Sequence, residues 1–167
     1  MAKFGKIIHE KDENFLIRKF IRLFISKIRN NRKRRFSLVL AGGESPIKLY
    51  KTLAKNKNIS WQKIDFFISD ERYVKEDSKH SNIKMCKKYL LSKIKITNKQ
   101  IFKISTNQKI IKNDVLNYEK KIKNYFLNKK VNFDLTLLGL GSDGHIASLF
   151  KNNIKKKSNK NALPSAT

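Results

Sequence analysis

The chain has 167 residues, 40% of them hydrophobic and 31% charged, which fits one folded domain with a real core and excludes a disordered chain. No run approaches the ~20 apolar residues of a bilayer span, and the single cysteine, Cys86, excludes an internal disulfide. The net charge of +26 invites a nucleic-acid reading, yet only seven of the 39 cationic residues are arginine, and the lysines are spread over every segment without interleaved aromatics. No specific nucleic-acid partner and no membrane contact are therefore expected, while anionic substrates should be attracted. The N-terminus MAKFGKIIHEKDEN lacks the apolar stretch of a secretory leader, so a cytoplasmic location is expected.

In chain order, residues 14–30 set Phe15, Phe20, Leu23, Phe24 and Ile28 at helical spacing, an amphipathic helix. RFSLVLA (35–41) is an apolar run suited to a buried strand. Pro46 opens a helix over 47–55, with Ser45 as the expected N-cap. IDFFIS (64–69) is a second strand. SNIKMCKKYLLSKI (81–94) is a helix capped by Ser81 or Asn82, in which Cys86 reads as a buried, inert thiol. IFKI (101–104) is a weaker strand, and residues 113–129 a helix carrying Val115, Leu116, Tyr118, Ile122, Tyr125 and Phe126. FDLTLLGL (133–140) has the clearest pattern of a buried strand, and DGHIASLF is expected to begin a helix after it.

Strands alternating with helices predict an α/β fold, a Rossmann-like, mostly parallel sheet with helices on both faces. Residues 1–150 are read as one domain, and 151–167 as a polar Lys/Asn-rich tail, disordered or a fragment end. Ligands of such sheets bind beyond the carboxyl ends of the strands. Here three strand ends run into AGGESP, SDERY and GLGSDGH.

Five of the six glycines fall at two of those ends: Gly42, Gly43, Gly139, Gly141 and Gly144. They fit tight strand-to-helix turns or close approach to a ligand. In AGGESPIKLY the helix N-terminus beside two glycines and a small hydroxyl offers a site for one phosphate, although Glu44 must then point away. It is neither a Walker loop nor a dinucleotide fingerprint. Arg72 is the only arginine after residue 35 and can grip phosphate or carboxylate in two-pronged fashion, or else pair with Asp70 or Glu71 on the surface. His145 follows a strand and a glycine turn, with Asp143 two residues before it, the pattern of a proton acceptor oriented by a carboxylate. No further His or Cys stands at metal-ligand spacing, so no metal is expected. Ser148 lacks a nucleophile elbow and is placed within the helix.

At LAGGESPIKLY (40–50), ISDERYVKEDSKHSNIKM (68–85) and FDLTLLGLGSDGHIASLF (133–150) the chain resembles the 6-phosphogluconolactonases, in the wider group that includes glucosamine-6-phosphate deaminases. The resemblance implies hydrolysis of a phosphorylated sugar lactone, 6-phosphogluconolactone, to 6-phosphogluconate in the pentose phosphate pathway, with no cofactor. It implies that His145 activates water, that Asp143 orients it, and that Gly42, Gly43, Ser45 and Arg72 hold the phosphate. Asp70 would lie near the sugar. A lactone carbonyl needs only a positioned water, a base and donors for the developing oxyanion, for which N–H groups of the Gly139–Gly144 turn are candidates. Family members run well beyond 200 residues, so the C-terminal part of the fold is expected to be missing. The alternatives are a deaminase-isomerase of the same fold, an inactive remnant, or a non-specific polyanion binder. The deaminases favour Asp-Glu-Tyr where this chain has Asp70-Glu71-Arg72, and continue GHIA with Asn-Glu-Pro where it has Ser148-Leu149-Phe150.

Overall fold

Two five-residue buried runs, apolar except for Ser37 and Asp65, build the centre of the molecule. In the computed structural model, which describes residues 5–32, 35–106 and 110–149, β1 (Phe36–Leu40) and β2 (Ile64–Ile68) pair in parallel. The register runs from Phe36↔Ile64 to Leu40↔Ile68, and every residue of both strands is buried. β3 (Ile101–Phe102) joins β2 and β4 (Leu135–Thr136) joins β1, both in parallel, so the order is β3-β2-β1-β4.

Side-chain alternation along a strand feeds two separate cores. Phe36, Leu38 and Leu40 of β1 and Ile64, Phe66 and Ile68 of β2 face α1 (Glu13–Asn30), α2 (Ile47–Ala54) and α3 (Asn82–Tyr89). Val39 and Phe67 face the other way, against Tyr118 and Ile122 of α4 (Ile111–Tyr125). Helices therefore cover both faces, as the alternating pattern predicts. Phe67 stacks on Phe102 and meets Tyr125 and Phe133 edge-on, an aromatic cluster that fills the thinner side.

The helix ends have chemical causes. Asp12 caps α1 by accepting from the Asn14 N–H at 3.0 Å, with Glu13 in the first turn and Lys27 and Arg29 in the last. Ser81, one of the two expected caps, accepts from the Lys84 N–H at 3.2 Å. Leu127 (φ 53°) and Asn128 (φ 57°) turn left-handed and end α4 at Tyr125, short of the expected 129. Cys86 is buried, and burial pushes its thiol up to about 12.

Four expectations are corrected. The buried stripe of α1 is Ile17, Ile21 and Phe24, leaving Phe15 and Leu23 exposed, because the helix docks on the face centred one residue away. Ser45 does not cap α2: Pro46 stands at the cap position with no side-chain bond, and the Ile47 N–H bonds the Glu44 carbonyl instead. The run 133–140 yields only the two-residue β4, with Leu138 and Leu140 exposed, since among the described residues it has β1 alone as neighbour. No helix starts at Asp143 among the described residues. Gly144 (φ 84°) and Ala147 (φ 52°) break right-handed winding, and Ile146 instead bridges Leu140 and Leu149 in antiparallel fashion. The expected tail, 151–167, lies outside the described residues.

Candidate active site

From β1 the chain moves outward through β2 to β3, then returns to set β4 on the opposite side of β1. The winding direction thus reverses at β1, and an open α/β sheet leaves a crevice at such a reversal, outside the carboxyl ends of the strands. The cleft found there, about 150 Å³, is bounded by the segments that follow β1, β2 and β4.

Gly42, Gly43, Ser45, Asp70, Arg72 and His145 all line this one cleft. Asp143 is not part of the lining but holds the histidine from behind. Its Oδ1 lies 2.5 Å from His145 Nδ1 and also accepts from the His145 backbone N–H at 3.2 Å. The hydrogen bond from His145 holds the Asp143 carboxyl below the usual aspartate range, so the carboxylate stays charged as an acceptor. Nδ1 is thus the ring atom engaged by Asp143. The ring folds over Gly141 so tightly that a Cβ there would stand 2.2 Å from Nδ1 and Cε1. Glycine at 141 is thus a steric requirement of the histidine's pose.

The turn is closed by the Gly141 N–H donating to the His145 carbonyl (2.8 Å) and the Gly144 N–H to the Gly141 carbonyl (2.9 Å). These two donors are committed inside the loop, which narrows the oxyanion donors expected from the Gly139–Gly144 turn.

Asp70 is tied from several sides. Its Oδ1 accepts from the Ser69 hydroxyl at 2.8 Å and its Oδ2 from the Ser148 hydroxyl at 2.7 Å. Ser148 therefore lies in a turn and links the histidine loop to the end of β2, a contact the expected helix concealed. Arg72 is exposed and pairs with no carboxylate among the described residues, so the surface pair with Asp70 or Glu71 does not form. Glu71 turns away and caps α3, accepting from the backbone N–H groups of Asn82 (2.7 Å) and Ile83 (2.8 Å). Glu44 is exposed and lines a neighbouring shallow depression beside Lys48 and Lys51, and its side chain is not part of the cleft lining. Among the described residues the N–H groups of Gly42, Glu44 and Ser45 have no protein acceptor, which leaves them for an anion.

Six lining residues are not singled out by the sequence as site residues: Ala41, Ser69, Asn82, Leu138, Leu140 and Ala147. Asn82 reads from the sequence as a helix cap and the others as strand or helix positions; the pair Ser81-Asn82, two cap-type residues in succession, is the available signal for Asn82. Among the described residues no three His, Cys, Asp or Glu side chains gather as a metal site.

Residues 11–166 match the family model described as glucosamine-6-phosphate isomerases/6-phosphogluconolactonase. A 6-phosphogluconolactonase of Thermotoga maritima is 38% identical over 137 residues, covering 82% of this chain and 59% of that protein. A 6-phosphogluconolactonase of Synechocystis is 38% identical over 117 residues, 68% of this chain and 48% of the relative. The chain thus spans only about half to three fifths of the length of these relatives. A solved 6-phosphogluconolactonase from Thermotoga maritima superposes with a TM-score of 0.77 at 34% identity, covering 90% of this chain and 66% of that one.

Proposed function

We propose, from the premise that this chain belongs to the glucosamine-6-phosphate isomerase/6-phosphogluconolactonase family, that it hydrolyses 6-phosphoglucono-1,5-lactone to 6-phosphogluconate. The observation that carries the reading is the convergence on one cleft of a carboxylate-held histidine and an arginine that pairs with no carboxylate among the described residues. They lie on the segments that follow β4 and β2.

In this reading the phosphate sits on the N–H groups around Gly42 and Ser45 and against the Arg72 guanidinium. His145 Nε2 takes a proton from water as the water oxygen bonds the lactone carbonyl carbon. The tetrahedral adduct then collapses, the bond from that carbon to the ring oxygen breaks, and the imidazolium returns its proton to the departing oxygen. The product is the open-chain acid, which ionises in solution, and His145 ends neutral. Asp143 keeps the imidazole in the tautomer whose Nε2 is the acceptor and stabilises the cationic intermediate. Asp70, within the cleft, faces the sugar hydroxyls. The remote phosphate supplies binding energy that orients the ring. No cofactor enters the scheme.

The test is hydrolysis of freshly generated lactone above the spontaneous background. His145→Ala should lower kcat by about 10²–10⁴-fold, the usual worth of a general base. A rate indifferent to the substitution, or release of ammonia from glucosamine 6-phosphate in place of lactone hydrolysis, would overturn the reading.

A further inference from the structure

We infer that Asn82 is a positioning residue that locks the Gly42–Gly43 turn to the loop carrying Arg72, and thereby sets phosphate affinity and not the chemical step. The inference rests on the reading of that turn as the phosphate site.

Asn82 is the first residue of α3, is only 6% exposed, and borders the cleft. Both ends of its carboxamide are used, each on a different loop. Its Oδ1 accepts from the Gly43 N–H at 3.3 Å, and its Nδ2 donates to the Asp70 carbonyl at 2.9 Å. The carboxamide also lies flat on the backbone of Gly42, where a Cβ would stand 2.2 Å from its Cγ and Nδ2. One planar group therefore touches two successive peptides of the turn after β1 and the peptide two residues before Arg72. Hydrogen bonds of both polarities fix its rotation, so the turn cannot twist without breaking one of them.

Glu71 holds the same place from outside. Its carboxylate accepts from the Asn82 and Ile83 N–H groups and from the Ser81 hydroxyl at 3.3 Å. The positive end of α3 is therefore spent on Glu71, and the helix presents Asn82's side chain, not its own N–H groups, toward the cleft. Loss of the carboxamide would leave the Gly42–Gly43 peptides free to reorient, while His145 kept its supports at Asp143 and Gly141 and the Asp70 side chain kept its bonds from Ser69 and Ser148.

The test titrates inorganic phosphate into the full chain by calorimetry, for wild type, Asn82→Ala and Asn82→Asp. Turnover of the phosphorylated lactone and of unphosphorylated glucono-1,5-lactone is followed in parallel. Asn82→Ala should weaken phosphate, and raise KM for the phosphorylated lactone, by about tenfold or more. It should leave kcat and the rate on the unphosphorylated lactone within about twofold. Asn82→Asp loses the donor to Asp70 and adds a negative charge, so phosphate binding falls at neutral pH. As pH drops and the new carboxyl protonates, it can again donate and accept, and its deficit against wild type should shrink. This variant decides the matter if Asn82→Ala does not fold.

Unchanged phosphate binding in both variants, or equal loss on both lactones, overturns the inference. Wild type that binds phosphate, loses it on substitution, yet hydrolyses neither lactone would sink the lactonase reading and uphold the clamp. Wild type that binds no phosphate overturns the clamp, whether or not it hydrolyses the lactone.

Discussion

Ser148 and Asp70 meet across 78 residues of sequence, and that single hydroxyl-to-carboxylate bond fixes where the histidine loop sits relative to β2. A hydrogen bond to a charged acceptor contributes on the order of 1.5–3 kcal/mol when well formed. Here it is partly buried, and it restrains a turn in which Ala147 already holds a φ of 52°. Ser148→Ala should therefore lower kcat for the lactone by about tenfold while KM stays near its wild-type value, and Ser148→Thr should recover most of the loss. A parallel rise in KM would show that the bond supports the phosphate side instead. The role of Ser148 was hidden in the sequence for a local reason: Ile-Ala-Ser-Leu has helical composition, and only the left-handed torsions at Gly144 and Ala147 divert it. His145, Asp143 and Arg72 were legible because their types are scarce or their spacing is specific. Asn82 was not, because an asparagine beside a helix start reads first as a cap.

At the level of elements, β3 is too short for the strand it flanks. It pairs with Phe66 and Phe67 only, so the backbone of Ile68 has no partner strand on that side. Tyr118, reaching over from α4, supplies both missing contacts: its hydroxyl donates to the Ile68 carbonyl at 2.9 Å and accepts from the Ile68 N–H at 3.2 Å. The hydroxyl is buried, and burial pushes the phenol well above its usual range, so it remains neutral and keeps both functions. Tyr118→Phe should cost about 1–3 kcal/mol, visible as a lower denaturation midpoint with an unchanged slope, because two buried backbone groups lose their partner. A midpoint within error of wild type would mean that water replaces the hydroxyl. The two central strands were readable almost to the residue, since five buried positions in a row leave no polar alternation to misplace. The run 133–140 was overread for the converse reason: apolar content predicts burial only when neighbours exist on both sides, and β4 has one among the described residues.

On the scale of the whole molecule, the parallel sheet, the two-sided core and the strand-end position of the cleft all followed from the alternation of apolar runs with helical periods. The excess of 39 cationic over 13 acidic residues did not locate the site, because the described lysines are spread over helices and loops alike and none of them lines the cleft. Location came from the reversal of winding at β1, a property of topology that no single residue encodes.

That reversal divides the cleft between two very different supports. The side carrying Gly42, Gly43 and Arg72 stands on β1 and β2, joined over five register pairs and sealed by side chains such as Tyr50, whose hydroxyl donates to the Ala41 carbonyl at 2.8 Å. The histidine side hangs from two register pairs of β4, the Ser37–Asp134 bonds and the Ser148 contact. Local opening free energies scale with such protection, so the two halves should melt as separate cooperative units. Amide exchange near Leu135–His145 should run ahead of exchange in β1 and β2. On warming, hydrolysis should disappear while phosphate is still bound, giving a ligand-loaded but catalytically silent intermediate. Coincident loss of both, with uniform exchange, would show instead that the cleft unfolds as one piece.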